Sequence, residues 1–310
     1  MDIDFSRLYE EEQSVLWGYC YRLSGNAAEA EDLVQDTFVR AMERPPADLS
    51  RPWRPWLVRV ATHLAYDRAR RSKKSEYVGP WLPTPVPTDG KSRLGKHLAA
   101  EGSASGRYDM KESASVAFLV ALEALTASQR VILLLRDVYD YSVKETAEMA
   151  EVSEAVVKTT LHRAREALKT YDGARIPLDG ERMRRTGEVL EALLHRLAAK
   201  DVTGVRELLA EKAVSLSDGN GRFYAAKVPV EGAEKVALFY SKIAPPESEV
   251  VDAEVQVVNH LPALVMERPN APEGFADRFV LSIQLDTDDK IAKIFTVLSQ
   301  AKLVALPALH

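Results

Sequence analysis

The chain has 310 residues, 46% hydrophobic and 28% charged, which excludes a disordered chain and leaves room for two or three domains with their own cores. A formal net charge of -5 and an isoelectric point near 5.8 exclude attachment to nucleic acid by bulk charge, so any such binding must come from local patches or from a larger complex. A single cysteine excludes a disulfide framework.

Residues 5–23 have helical periodicity, and Cys20, among Trp17, Tyr19, Tyr21 and Leu23, reads as a small core residue. The Ser24-Gly25-Asn26 break follows, in which Asn26 can cap the next helix with Glu29 at the reciprocal position. That helix lines Leu33, Val34, Thr37, Phe38, Ala41 and Met42 along one face and stops at Pro45-Pro46. A third helix follows Pro55, carries Trp56, Leu57, Val60, Ala61, Leu64 and Ala65 inward, and runs into Arg68, Arg70, Arg71, Lys73 and Lys74. Periodicity then disappears over 76–111, where Pro, Gly and Ser accumulate, and a linker is expected. Its opening, Tyr77 to Pro83, is too aromatic for a solvated tether, so Trp81 is expected to dock on a folded surface.

Helices resume near Glu112 and restart at Thr126, with Gln129 completing a capping box. Ser142 and Glu145 form another such box, a break falls at Glu151-Val152-Ser153, and Ser153 can cap the next helix. There Val157, Leu161, Ala164 and Leu168 make one apolar stripe, while Lys158, Thr159, His162 and Arg163 face the other way and Arg165 lies nearby. This is the layout of a helix-turn-helix, whose second helix suits a major groove because Arg and Lys donate to guanine edges and phosphates. A solvated basic face on a helical hairpin is the alternative. After a short boundary at 173–180 the texture changes. Helical patterns at 181–200 and 203–211 precede strands near 213–217 and 222–227, a helix near 232–243, and alternating runs at 249–258, 262–267, 275–285 and 290–298. Helices followed by an antiparallel meander indicate an α+β module whose curved sheet wraps a helix around a pocket.

Three motifs in register carry a resemblance: Asp32 to Ala41, Trp56 to Thr62, and Tyr141 to Ala147 with Leu161-His162-Arg163-Ala164-Arg165. Residues 5 to about 172 resemble the extracytoplasmic-function (ECF) sigma factors of the sigma-70 family, bacterial initiation subunits of RNA polymerase. The resemblance implies that Asp32, Gln35, Asp36 and Arg40 dock the β′ clamp of core RNA polymerase, with the β flap as a further polymerase contact. It implies that Thr62, His63, Asp67, Arg70 and Arg71 open and hold the minus-ten element, and that Ser153, Lys158, Thr159, His162, Arg163 and Arg165 read the minus-thirty-five element of promoter DNA. His63 stands where the family usually has Asn, and Thr160 where it usually has a basic residue.

The C-terminal block resembles SnoaL-like domains appended to some of these factors. Asp218-Gly219-Asn220-Gly221-Arg222 is similar to their Asp-Gly-Gly-Gly turn, and Asn tolerates positive φ better than most residues. Gly79-Pro80-Trp81-Leu82-Pro83 resembles the family's linker, and Lys302-Leu303 are what remains of its Asn-Pro-Asp-Lys-Leu motif. Trp81, Asp218, Gly219, Gly221 and Lys302 are accordingly expected to serve regulation. Because the same cone serves isomerases and cyclases, Asp218 or His260 with Tyr224 or Tyr240 are the candidate catalytic pairs. Asp218 is better explained as a turn residue and His260 as a hairpin corner, so no catalysis is expected. The six histidines show no ligand spacing and no phosphate-cradling loop occurs, so no metal and no cofactor is expected.

The expectation is therefore a multidomain chain: a region 2 helical domain (1–75), a linker (76–111), a region 4 helix-turn-helix domain (112–172), a short linker (173–180) and a SnoaL-like α+β domain (181–310). It binds core polymerase, recognises a bipartite promoter, and is regulated in cis by its C-terminal domain, with a small-molecule ligand left open. The alternative is a helix-turn-helix regulator with a ligand-sensing domain that acts without core polymerase. The Met-Asp-Ile-Asp start lacks a leader pattern and no run of about 18 apolar residues occurs, so a cytoplasmic protein without membrane contact is expected.

Overall fold

The computed structural model describes residues 3–71, 77–90, 92–99, 106–244 and 252–309. Lys73 and Lys74, the start of the 249–258 run and part of the expected linker lie outside these residues. The chain forms two compact units, one from residues 1–74 with 93–173, the other from 75–92 with 174–310.

The first unit is helical. Helices α1 (Phe5–Ser24), α2 (Ala27–Glu43) and α3 (Trp53–Arg71) share a core around Leu16, Trp17, Leu33, Phe38, Leu57 and Ala61. Asn26 caps α2 by accepting from the amides of Ala28 and Glu29. Cys20 is fully buried, and burial pushes its thiol well above the ordinary range, which suits a core residue. Short helices α4 (Arg93–Ala99), α5 (Met110–Ser113) and α6 (Val116–Ala121) lead to α7 (Ala127–Leu133), which opens with the Thr126/Gln129 capping box. A wide π turn over Leu134–Val138 follows, then α8 (Val143–Ala150), α9 (Glu154–Ala167) and α10 (Lys169–Ala174).

The expected two separate helical blocks are joined here as one body. The buried Arg22 guanidinium donates to Ser113 Oγ at 2.8 Å, Met110 O at 2.8 Å and Gly18 O at 2.9 Å, tying α1 to the segment before the helix-turn-helix. Arg130 donates to Leu23 O at 2.8 Å. Trp17 stacks on His97 of α4, whose Nδ1 lies 3.0 Å from Ser14 Oγ. The segment read as a plain linker therefore contributes structure of its own.

The second unit is α+β. Helices α11 (Gly180–Ala198), α12 (Val202–Leu208) and α13 (Ala233–Ile243) pack on a six-stranded sheet. Its strands are β1 (Leu209–Asp218), β2 (Val230–Glu231), β3 (Asp252–Val258), β4 (Leu261–Glu267), β5 (Arg278–Leu285) and β6 (Ile291–Val297), in the order β2-β1-β6-β5-β4-β3. Only β1 and β6 run parallel, and β3 to β6 form the expected meander. Val189, Leu193, Val236, Leu264, Leu281 and Ile294 fill the core between helices and sheet. The β3–β4 hairpin turns on Asn259 (φ 50°) and His260 (φ 65°), a pair of left-handed residues that matches strand twist and makes His260 the expected corner. The strand expected at 222–227 is absent. After β1 the backbone turns at Asn220 and Gly221, and Tyr224 N–H donates to Gly274 O instead of joining a ladder. Apolar alternation alone could not reveal that this stretch lacks a strand partner.

Candidate nucleic-acid interface and linker clasp

The helix-turn-helix begins at Ser142, whose hydroxyl accepts from Glu145 N–H at 3.2 Å while Glu145 accepts from Ser142 N–H at 2.8 Å. Glu151 ends α8 in the left-handed conformation (φ 53°) and donates its amide to Ala147 O, which redirects the chain. Ser153 then caps α9 by accepting from Val156 N–H. Val157, Leu161, Ala164 and Leu168 are buried, whereas Lys158, Thr159, His162 and Arg163 are exposed on the other side. Thr159 Oγ1 turns back to Ala155 O at 2.9 Å. Arg165 is held differently. Its Nε and one terminal nitrogen lie 2.9 and 2.6 Å from the carboxylate of Asp137, a residue 2% exposed in the π turn. A bidentate pair with a buried carboxylate makes Arg165 a support for α9.

On α3, Arg70 and Arg71 are exposed and Asp67 pairs with Arg70 at 3.2 Å. Thr62 is fully buried, with its hydroxyl 2.8 Å from Val58 O and 2.7 Å from Tyr19 OH, so its hydroxyl is not available on the surface expected to meet the minus-ten element. His63 is half-buried, with Nε2 3.5 Å from Glu151 of the helix-turn-helix, and Arg59 is ion-paired with the same carboxylate. The Arg59 hydrogen bond, followed by the charge of His63, holds the Glu151 carboxyl below the usual range. Asp32, Gln35, Asp36 and Arg40 all lie exposed on α2, and Arg68 donates to Asp36 at 2.7 Å and to Glu29 O at 3.1 Å.

The second unit brings Trp81, Asp218, Gly219, Gly221 and Lys302, the residues expected to serve regulation, together in one place. Asp218 is the last residue of β1 and is fully buried, so the expectation of a turn residue gives way to that of a buried anion. Lys302 Nζ lies 2.7 Å from Asp218 Oδ2 and 2.5 Å from Leu82 O. Leu82 N–H donates to the same carboxylate oxygen at 2.8 Å, and Tyr77 OH donates to the other oxygen. Burial raises the Tyr77 phenol well above its ordinary value, keeping it a donor. The ammonium also sits 4.3 Å from the ring centre of Trp81 and 5.0 Å from that of Tyr77. Trp81 thus docks as its composition suggested. Gly221, at φ 71°, is approached so closely by Val78 that a Cβ would lie 3.0 Å from the Val78 Cβ, and a Cβ on Gly219 would lie 3.0 Å from that of Ala225. Farther along, Val86 and Asn259 exchange hydrogen bonds at 2.9 and 3.0 Å and Thr88 N–H donates to Val257 O at 2.7 Å, so the segment covers part of the exposed edge of β3.

Sequence reasoning missed Tyr77 as a partner of Asp218, and it missed Asp137, Glu151 and Asn259. Tyr77 was legible as part of an aromatic linker opening, but its partner lies 141 positions away. Asp137 gave only a faint sign, a lone carboxylate following the apolar run Ile132 to Leu135. Tyr224 is 67% exposed, and the Tyr240 hydroxyl is bonded to Ser215 and Thr296 at 2.9 and 2.8 Å. Among the described residues no helix is long and apolar enough to cross a membrane, and no cluster of three His, Cys, Asp or Glu is placed to hold a metal.

A capped helix-turn-helix with an outward basic face, preceded by a three-helix block ending in arginines, defines a DNA-binding protein of the transcription apparatus. The family model Sigma-70 region 2 matches residues 8–75, and Sigma-70, region 4 matches residues 115–168. The ECF RNA polymerase sigma factor SigJ of Mycobacterium tuberculosis is 32% identical over 235 residues, covering 74% of this chain and 70% of that protein. SigW of Bacillus subtilis is 28% identical over 166 residues, 53% of this chain and 87% of that protein. The crystal structure of M. tuberculosis SigJ superposes with a TM-score of 0.74 at 26% identity, covering 97% of this chain and 99% of that one. The chain belongs to the ECF RNA polymerase sigma factors, with two helical sigma regions followed by an α+β domain. It is a transcription initiation factor that binds core RNA polymerase and recognises promoter DNA, a family of initiation factors rather than of enzymes.

Proposed function

We propose that the exposed face of α9 reads the minus-thirty-five element through Lys158, Thr159, His162 and Arg163, with Ser153 at a helix N-terminus suited to a phosphate. Arg165 enters this reading as the residue that orients the helix through Asp137. His63, Asp67, Arg70 and Arg71 of α3 hold the opened minus-ten strand, where captured bases and backbone contacts offset the cost of unstacking. Thr62 supports that face from inside. Asp32, Gln35, Asp36 and Arg40 dock the β′ clamp, and the helix-turn-helix block meets the β flap. These partners assign the protein to the cytoplasm. The domain limits given from sequence stand as the working division of these tasks.

The observation that carries this reading is the two-sided character of α9, apolar and buried on Val157, Leu161, Ala164 and Leu168, cationic and exposed on Lys158, His162 and Arg163. The α+β unit regulates in cis by gripping the linker at Asp218 and Lys302, which biases the populations of promoter-competent and incompetent forms. Gel retardation with and without core polymerase tests the assignment. Specific retention of promoter DNA only with core enzyme supports it, whereas strong specific binding by the protein alone establishes the rival, a regulator that needs no polymerase.

A further inference from the structure

The second unit holds a cavity of about 360 Å3 between its helices and the sheet, a size within the range of about 300–1,000 Å3 found for small-molecule sites. Its wall is largely apolar, with Leu197, Ile243, Leu264, Met266, Phe279 and Leu281 among the lining residues, so water gains few partners inside. Tyr224 and Thr296 also line it, and two further polar features break this surface. One is the Tyr240 hydroxyl, which shares hydrogen bonds with Ser215 and Thr296, and whose phenol burial keeps neutral. The other is Arg268, 4% exposed, with its guanidinium 5.1 Å from the ring centre of Phe275. Among the described residues that line this wall, Arg268 is the one with a formal charge and none is a carboxylate.

We propose that this cavity binds an organic anion with an apolar body, a medium-chain fatty or aromatic carboxylate, with its carboxylate against Arg268. The apolar walls supply the burial, and a guanidinium has five N–H donors, enough to meet a carboxylate in addition to its contacts within the protein. A charge-assisted hydrogen bond in a water-poor site discriminates strongly against a neutral analogue. The site is also placed to matter. Leu298 lines the cavity, and its backbone amide donates at 2.8 Å to the carbonyl of Asp218, the residue whose carboxylate grips Lys302. Binding at the cavity is measurable without transcription, so the inference stands or falls apart from the regulatory reading above.

The test is calorimetric titration of the full chain with naphthalene-2-carboxylate and, separately, with naphthalene-2-carboxamide. Saturable one-to-one binding is expected, with the acid about tenfold or more tighter than the amide. Arg268→Gln is expected to bring the two affinities together, and Ala253→Trp, which adds bulk at an exposed position of the cavity wall, to abolish both. No saturable binding of the acid, or equal affinities for acid and amide on the unaltered protein, overturns the proposal without recourse to any variant. Undiminished acid binding by folded Ala253→Trp overturns it as well, because it locates the ligand elsewhere.

Discussion

Lys302 and Asp218 form a buried ion pair, 6% and 0% exposed at their side chains, with Nζ 2.7 Å from Oδ2. The pair closes around the linker, because Leu82 offers its amide to the anion and its carbonyl to the cation. A buried pair of this kind is weak evidence for net stability against an apolar substitute, but losing one partner strands the other. Lys302→Met is expected to cost about 3–5 kcal/mol in the α+β unit, a fall of roughly 10 °C in its melting transition. It should also open the linker to proteolysis within residues 77–90, where the unaltered chain is expected to resist digestion because its backbone is hydrogen-bonded to the α+β unit. Calorimetry and limited digestion check both, and an unchanged digestion pattern would show that the linker is held without the pair.

Gly221 permits the approach of Val78 at a positive φ. Gly221→Ala is expected to destabilise the same unit by about 1–2 kcal/mol through the left-handed backbone, with a further penalty from the 3.0 Å approach. Val78→Ala in the same chain removes the Cγ1 approach at 3.1 Å but keeps the Cβ at 3.0 Å, so it should relieve part of the second cost and leave the first. A thermal-melt series of the three variants separates the contributions.

Arg163 and Arg165 lie two positions apart and are expected to behave oppositely. Arg163→Ala should leave stability within about 0.5 kcal/mol while weakening promoter binding by the holoenzyme and reducing the salt slope by about one. Arg165→Ala strands the buried Asp137 carboxylate, and an expected loss of about 3 kcal/mol appears in denaturant melts. Equal effects of the two variants on stability would contradict this division.

Glu151 gives a test by titration. Its folded carboxyl is held low, first by the Arg59 hydrogen bond and then by His63. The linked stabilisation is therefore present above the unfolded glutamate value of about 4.3 and is lost as pH falls through the lower folded value. Carboxyl-carbon NMR should give Glu151 a midpoint below that of an ordinary glutamate, and Arg59→Met should raise it. A midpoint insensitive to Arg59→Met would show that the two side chains do not pair in solution.

The helical elements were legible because their signals are local. Ser142 with Glu145, Thr126 with Gln129, and the stripe from Val157 to Leu168 each lie within a few turns of backbone. Trp81 and Lys302 were legible through resemblance, and the structure adds the reason they belong together. Long-range pairings stayed hidden. No spacing rule connects Tyr77 to Asp218 or Val86 to Asn259, and helical periodicity could not show that Arg22 would join the first helix to Met110 and Ser113. The basic face of α9 likewise read as uniform, although Arg165 is engaged by Asp137, because a buried carboxylate in an apolar run has no sequence signature of its partner.

The two helical regions are proposed to direct transcription only when mounted on core polymerase. Sequencing the RNA made in vitro from genomic template by core enzyme, with and without this protein, tests this most directly. New 5′ ends are expected downstream of a shared bipartite element, dependent on the protein and depleted by Arg163→Ala. Transcript ends that are the same with and without the protein would contradict it.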